Sequence, residues 1–198
     1  MNDFPSHHPF RSAKVRDQYF KFYDQKAERW PAPGEGRLVD TFSGQTFVRL
    51  IGVPTAQPLV LLPGGSANSL MWWPNIAAFS GSFQTFAVDN LYDFGRSVYR
   101  RKPQKPDDIV RWLNELFDAL GLGNDIHLAG LSLGGWMSGL YALHCPKRVE
   151  KNCLDRASKH GAHDPSRVCP TGHIRPAAAA FLYQAVYHLV VQRPGIDR

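Results

Sequence analysis

Apolar residues occur in short runs along the chain, and the spacing within these runs alternates between that of strands and that of helices. Two β-prone runs flank the glycine-containing residues 43–45, which predicts an antiparallel hairpin of strands at residues 37–42 and 46–51. Residues 58–62 are all apolar, as is typical of a strand buried on both faces of a parallel sheet. Further strands are predicted at residues 83–88 and 125–129.

Helix-like spacing is found at residues 19–30, near 71–79 and, most clearly, at 107–120. The last of these has an apolar stripe, acidic residues in its first turn and a glycine directly after its end. Because strands alternate with helices from residue 58 to 145, we expect successive βα units connected in the right-handed sense. The predicted fold class is α/β, with a mostly parallel sheet, an antiparallel N-terminal hairpin and helices on both faces.

The regular pattern ends after Glu150. Residues 151–176 are rich in Lys, Arg, His, Pro and Ser and show neither strand nor helix periodicity, and only residues 181–191 resemble a short amphipathic helix. We therefore expect one domain over residues 1–150 and an irregular basic tail over residues 151–198, disordered apart from that helix.

Composition and charge narrow the classes of function. The net charge is +6, and the tail contributes most of it, with 7 basic and 3 acidic residues. The tail lacks interleaved aromatic residues and any known nucleic-acid motif, so we expect no nucleic-acid partner. No continuous apolar run is long enough to span a membrane, and residues 1–11 do not resemble a signal peptide, so we expect a cytoplasmic protein without membrane contact.

The cysteine and histidine pattern does not indicate a metal or a cofactor. Three cysteines without CxxC spacing suggest neither a disulfide framework nor a paired zinc site. The Cys and His residues of the tail are irregularly spaced for zinc. We expect neither a cofactor nor a metal ion.

Residues 126–135 contain the candidate catalytic motif. An apolar strand there runs through Gly-Leu-Ser-Leu-Gly into a helix. This G-x-S-x-G pattern is typical of a nucleophile elbow, a strained turn that exposes the serine hydroxyl. Ser132 is therefore the candidate nucleophile. The Leu133 N–H, at the start of the helix, is positioned to stabilise an oxyanion formed on attack by Ser132.

Three motifs together resemble the serine hydrolases of the α/β-hydrolase superfamily. They are Leu-Leu-Pro-Gly-Gly at residues 61–65, Val-Asp-Asn leading to Gly-Arg-Ser at 88–97, and Gly-Leu-Ser-Leu-Gly-Gly-Trp at 130–136, and the resemblance covers residues 38–151. It implies a carboxylic ester or amide substrate. It also implies that Gly65 provides the second oxyanion N–H, although Pro63 replaces the family's usual histidine, and that Asp89 has a structural role.

In this family the triad acid and the triad histidine follow the serine on later loops. Only 66 residues follow Ser132, so the resemblance implies that the C-terminal half is missing. A frameshift near Lys151 is one hypothesis, since reading one base later permits the apolar sequence Lys-Ile-Val-Leu-Ile. His163 lies in a Gly-Ala-His-Asp-Pro sequence like the family's histidine loop, but no acidic loop or buried strand separates it from Ser132.

Two interpretations therefore stay open. The chain is either an esterase that works through a Ser132 acyl-enzyme, with His163 as the one available but poorly supported base, or a non-catalytic remnant or binding module. In both cases the sheet edge after the last strand lacks a neighbour, so we expect self-association through that edge.

Overall fold

In the computed structural model of this chain, residues 8–155 are described, and within them seven strands and four α-helices form one α/β unit. The strands are β1 (Gly34–Thr41), β2 (Gly44–Ile51), β3 (Pro58–Leu62), β4 (Gln84–Val88), β5 (Val98–Tyr99), β6 (Ile126–Leu131) and β7 (Val149–Asp155). The helices are α1 (Ala13–Ala27), α2 (Trp73–Ser80), α3 (Pro106–Ala119) and α4 (Leu133–His144), with short 3₁₀ turns at Ser69–Trp72 and Pro146–Arg148.

The sheet has the order β1-β2-β4-β3-β6-β7, and β5 pairs with β2. β3, β4, β6 and β7 are parallel, whereas β2 pairs antiparallel with β1, β4 and β5. The predicted hairpin and mostly parallel sheet are confirmed. Because the carboxyl ends of β3, β4 and β6 meet at one edge, the loops that follow them form the crevice in which such sheets bind ligands.

β3 is buried on both faces, as its all-apolar sequence predicted. Val60 and Leu62 of β3 belong to the larger core, which includes the apolar stripe of α3 and the inner face of α4. Leu59 and Leu61 alternate with them and pack in a second core with Ile76 of α2. The expected placement of helices on both faces of the sheet is therefore confirmed.

The element bounds differ from the sequence expectations where capping or tertiary contacts intervene. α1 begins at Ala13, six residues before the expected start, because Ser12 accepts a hydrogen bond from the Val15 N–H as an N-cap. The helix expected near residues 71–79 is divided into a 3₁₀ turn and α2, with Pro74 in the first turn of α2. β5 has only two residues and left no periodic signal in the sequence.

β7 continues to Asp155, so regular structure extends beyond the expected boundary at residue 150. Its backbone pairs with β6 along its whole length, and the last pair in the register is Leu131 with Asp155. Backbone pairing does not require an alternating apolar sequence, which is why the pattern gave no sign of it. The rest of the tail, including the helix expected at residues 181–191, lies outside the described residues. Between residues 8 and 155, no helix is both long and apolar enough to cross a membrane.

Candidate active site

Ser132 lies at the abrupt turn between β6 and α4. Its backbone has φ 51° and ψ −110°, in the positive-φ region that residues with a side chain rarely adopt. Such strain persists only where the surrounding structure imposes it, and it is concentrated at functional sites. The turn leaves Ser132 exposed at the carboxyl end of β6, where its hydroxyl is accessible from the crevice.

The two glycines of the G-x-S-x-G sequence make this turn possible. A Cβ on Gly130 would lie 2.2 Å from the Gly134 carbonyl oxygen, and a Cβ on Gly134 would lie 2.1 Å from the Leu62 carbonyl oxygen. Real Cβ atoms do not approach backbone this closely. The glycine spacing is therefore a packing requirement that brings the start of α4 against the end of β3.

The loop after β3 lies directly beside Ser132. A Cβ on Gly64 would be 3.8 Å from the Ser132 Cβ, and a Cβ on Gly65 would be 3.8 Å from Cδ2 of Leu133. The structure thus brings together the three residues that the sequence indicated, Ser132, Gly65 and Leu133.

The neighbouring backbone amides of this loop form hydrogen bonds, whereas the Gly65 N–H has no partner within residues 8–155. The Gly64 N–H donates to the Met71 sulfur at 3.4 Å, and the Ser66 N–H donates to Oδ2 of Asp93 at 2.6 Å. Among the hydrogen bonds of residues 8–155, none uses the Gly65 N–H. A free N–H donor in this loop is what an oxyanion site needs.

The N-terminus of α4 provides a second donor. No side chain of the described residues caps it, and the first amide that bonds back is that of Trp136, to the Ser132 carbonyl oxygen at 3.0 Å. The N–H groups before it, including that of Leu133, have no hydrogen-bond partner in the described part of the chain and carry the positive end of the helix dipole. An oxygen bound to Ser132 would therefore be close to partial positive charge from the helix.

The Asp89 side chain has a structural role, because it joins separate elements of the fold by hydrogen bonds. Its buried carboxylate accepts hydrogen bonds from the Tyr23 hydroxyl at 2.8 Å, the Ser69 N–H at 2.7 Å and the Arg96 N–H at 2.8 Å. Burial, followed by the charge of Asp89, raises the pKa of Tyr23, which keeps its hydroxyl protonated as the donor. This network ties α1 to the ends of β4 and of the loop after β3.

Sequence reasoning did not identify Asp93 or Asn90 as parts of the site. Asn90 donates from Nδ2 to the Pro63 carbonyl oxygen at 3.3 Å, and Asp93 binds the Ser66 amide. Burial raises the pKa of the Asp93 carboxyl, and its bonds to the Phe94 and Ser66 amides oppose that rise. Both residues follow β4, and the loop position directly after a parallel strand was the one signal that could have indicated them.

Two of the histidines in the described part of the chain lie far from Ser132. His127 is near the start of β6, roughly 16 Å along the strand from Ser132, and its Nε2 is 2.6 Å from Oε1 of Gln57. His144 ends α4, roughly 18 Å along the helix. His8, in the N-terminal segment, has Nδ1 within 3.2 Å of the Phe10 backbone. His163 lies outside the described residues, so its candidacy as the base stays a prediction.

Comparison with known proteins agrees with this architecture. The family model described as the alpha/beta hydrolase fold matches residues 57–167, which is more than half of the chain. The chain therefore belongs to the α/β-hydrolase family. The match includes the loop after β3, the turn after β4 and the Ser132 elbow.

Relatives within this family are carboxylesterases of Bacillus subtilis. The chain is 40% identical over 134 residues to carboxylesterase YbfK, covering 68% of this chain and 45% of the relative. The crystal structure of that protein, also called CesB, superimposes with a TM-score of 0.68 at 39% identity, covering 70% of this chain and 48% of the other. The naproxen esterase structure gives a TM-score of 0.67 at 36% identity, covering 72% and 49%. The chain thus spans about half the length of these relatives.

Proposed function

We propose that this chain carries the nucleophilic half of a carboxylic ester hydrolase, with Ser132 as the nucleophile. The observation that carries the proposal is the strained, exposed Ser132 beside the N–H groups of Gly65 and Leu133, two backbone donors that have no partner within residues 8–155. The relatives named as carboxylesterases support an ester as the substrate class. The substrate is a small-molecule ester or amide.

In the proposed reaction, the Ser132 hydroxyl oxygen attacks the ester carbonyl carbon and loses its proton to a base. The carbonyl oxygen becomes an oxyanion, which the Gly65 and Leu133 N–H groups stabilise by hydrogen bonds that strengthen as the negative charge develops. Collapse of the tetrahedral intermediate breaks the bond to the leaving oxygen, which takes the proton back from the base and departs as the alcohol, and the acyl group stays on Ser132. Water then attacks that ester, releases the carboxylic acid and regenerates the serine hydroxyl.

The rate of this reaction depends on a base that accepts the Ser132 proton. His127 and His144 are held at the far ends of β6 and α4, so neither accepts the Ser132 proton. Without a base a serine hydroxyl is a weak nucleophile at neutral pH, and oxyanion stabilisation and binding alone leave an acceleration of roughly 10³ to 10⁴ over water in serine proteases. This observation favours a second candidate function, a non-catalytic remnant or binding module that keeps the crevice.

Reaction with a fluorophosphonate probe and hydrolysis of an activated short-chain ester separate the two functions. We expect slow modification at Ser132 that is lost in Ser132→Ala and kept in Ser82→Ala, which changes an exposed serine outside the elbow. Equal, background labelling of the chain and of Ser132→Ala would establish the non-catalytic alternative. Fast turnover lost in Ser132→Ala would show that a base is present, and His163→Ala would be the next variant.

We also propose that the chain self-associates through β7. Within residues 8–155, β7 pairs with β6 on one side and is the last strand of the sheet. The opposite edge, β1, is protected by the exposed ion pair of Glu35 and Arg37, a common device against edge pairing. Light scattering over a range of concentrations should show dimers or larger species, and a monomer throughout would contradict the proposal.

A further inference from the structure

The turn that carries Gly65 has an unfavourable backbone conformation. The Ala67 N–H bonds to the Gly64 carbonyl oxygen at 3.3 Å, so residues 64–67 form a β-turn with Gly65 and Ser66 at its centre. Ser66 has φ 61°, the positive value that a type II turn requires at its third position. Glycine normally occupies that position, so a serine there needs an external contact to keep the turn in this form.

Asp93 provides that contact from the neighbouring loop. Its Oδ2 accepts the Ser66 N–H at 2.6 Å, and its Oδ1 accepts the Phe94 N–H at 2.8 Å. The carboxylate therefore fastens the loop after β3 to the loop after β4. Burial also raises the pKa of Asp93, which means that its surroundings disfavour the charge. A partly buried carboxylate whose surroundings disfavour its charge is typical of a functional site.

The other contacts of the loop hold its upstream half. Asn90 binds the Pro63 carbonyl oxygen, and the Met71 sulfur accepts the Gly64 N–H. Downstream of Gly65, one backbone amide of the turn, that of Ser66, bonds to a side chain of the described residues, and that side chain is the Asp93 carboxylate. Loss of Asp93 therefore frees the Gly65–Ser66 peptide while the start of the loop stays anchored.

We propose that Asp93 is a positioning residue that fixes the orientation of the Gly65–Ser66 peptide beside Ser132. Type I and type II turns differ by inversion of their central peptide. Without the carboxylate, Ser66 relaxes to negative φ, and the Gly65–Ser66 dipole reverses next to the position of the oxyanion. Asp93 acts only through the loop and does not touch the substrate. The proposal rests on the proposed esterase function.

The test compares Asp93→Asn and Asp93→Ala with Asp40→Asn, a matched loss of charge on the exposed strand β1. The first measurement is the amide NMR spectrum of the whole chain. In Asp93→Ala, which removes both acceptor oxygens, we expect the Ser66 amide to lose its exchange protection and the Gly65 amide to change its chemical shift; Asp93→Asn keeps one acceptor oxygen and should show a smaller change. Asp40→Asn should leave both unchanged.

The second measurement is the rate at which a fluorophosphonate probe labels Ser132. The reversal changes the dipole beside the oxyanion but leaves the Gly65 N–H itself in place, so we expect a loss of about tenfold, less than the 10²- to 10³-fold that removal of one oxyanion donor costs enzymes. Adding Ser66→Gly to Asp93→Ala should recover part of that rate, because glycine adopts positive φ without strain. A merely structural loss would lower thermal stability and would not be rescued in this way.

The outcomes separate this proposal from the proposed function. If the probe does not label the wild-type chain, the esterase function fails, and the NMR measurement still decides whether Asp93 orders the turn. Unchanged Gly65 and Ser66 amides in Asp93→Ala would overturn the proposal. Unchanged labelling in a variant whose loop has moved would also overturn it.

Discussion

Gly134 and Leu62 approach so closely that a Cβ at position 134 would lie 2.1 Å from the Leu62 carbonyl oxygen and 2.6 Å from that of Pro63. This contact joins the first turn of α4 to the end of β3. It places the Ser132 elbow and the Gly65 loop side by side, so the distance between nucleophile and oxyanion donors is fixed by backbone packing.

Gly134→Ala should therefore disrupt the site and the sheet together. Overpacking a well-packed interior costs about 1–3 kcal/mol and more where backbone must move, and here the clash is with backbone. We expect a loss of about 3 kcal/mol or more in the free energy of unfolding, measured by urea denaturation. Gly123→Ala is the matched control, because a Cβ there meets nothing within 4 Å; an equal effect in both variants would refute the packing argument.

Ser132→Gly should stabilise the protein while removing the nucleophile. Strained positive-φ conformations cost about 1–3 kcal/mol, and the greater flexibility of glycine in the unfolded chain offsets about 0.5–1 kcal/mol of the relief. We expect a net gain of about 1 kcal/mol in the free energy of unfolding. Ser132→Ala removes the same hydroxyl but keeps the strain, so it should show no such gain. Similar stability of the two variants would mean that the turn is not strained in solution.

Tyr23→Phe should destabilise the anchoring of α1. The change leaves one oxygen of the buried Asp89 carboxylate without its hydroxyl donor, and an unmade buried hydrogen bond costs about 1–3 kcal/mol. Denaturant unfolding measures the loss. The control variant Phe22→Tyr adds a hydroxyl to the adjacent residue, which is 68% exposed. Its free energy of unfolding should stay within about 0.5 kcal/mol of wild type. If Tyr23→Phe lowered the free energy of unfolding as little as this control, the hydrogen bond to Asp89 would contribute little to stability.

The stability contribution of Asp93 should depend on pH. Burial raises the pKa of its carboxyl above the ordinary value of 3.8, so the folded protein holds this proton more tightly than the unfolded chain. Stability is therefore lost as pH rises from the unfolded pKa through the higher folded one. Tyr19 faces this group, and burial, with a smaller contribution from the charges of Asp89 and Asp93, raises its pKa to about 12, so Tyr19 stays neutral over this window.

Thermal unfolding from about pH 3 to about pH 7 tests that sign. The stability of Asp93→Asn relative to wild type should increase across this range, because the variant has no charge to bury. Asp40→Asn has the same change in net charge on an exposed strand and serves as the reference. A relative stability of Asp93→Asn that falls with pH would show that ionised Asp93 is favoured by its surroundings.

The amino-acid sequence by itself determined the parallel βα arrangement and the position of Ser132. Period-2 and period-3.6 spacing, and the glycines on either side of the elbow, are local signals, because they reflect backbone geometry within a few residues. Only the tertiary structure decided that Asp93 binds Ser66, that Tyr23 binds Asp89, and that β7 continues to Asp155. The two side-chain contacts join residues 27 and 66 positions apart, and the strand depends on its pairing with β6. Such contacts arise from how the sheet brings loops and strands together, which no local periodicity encodes.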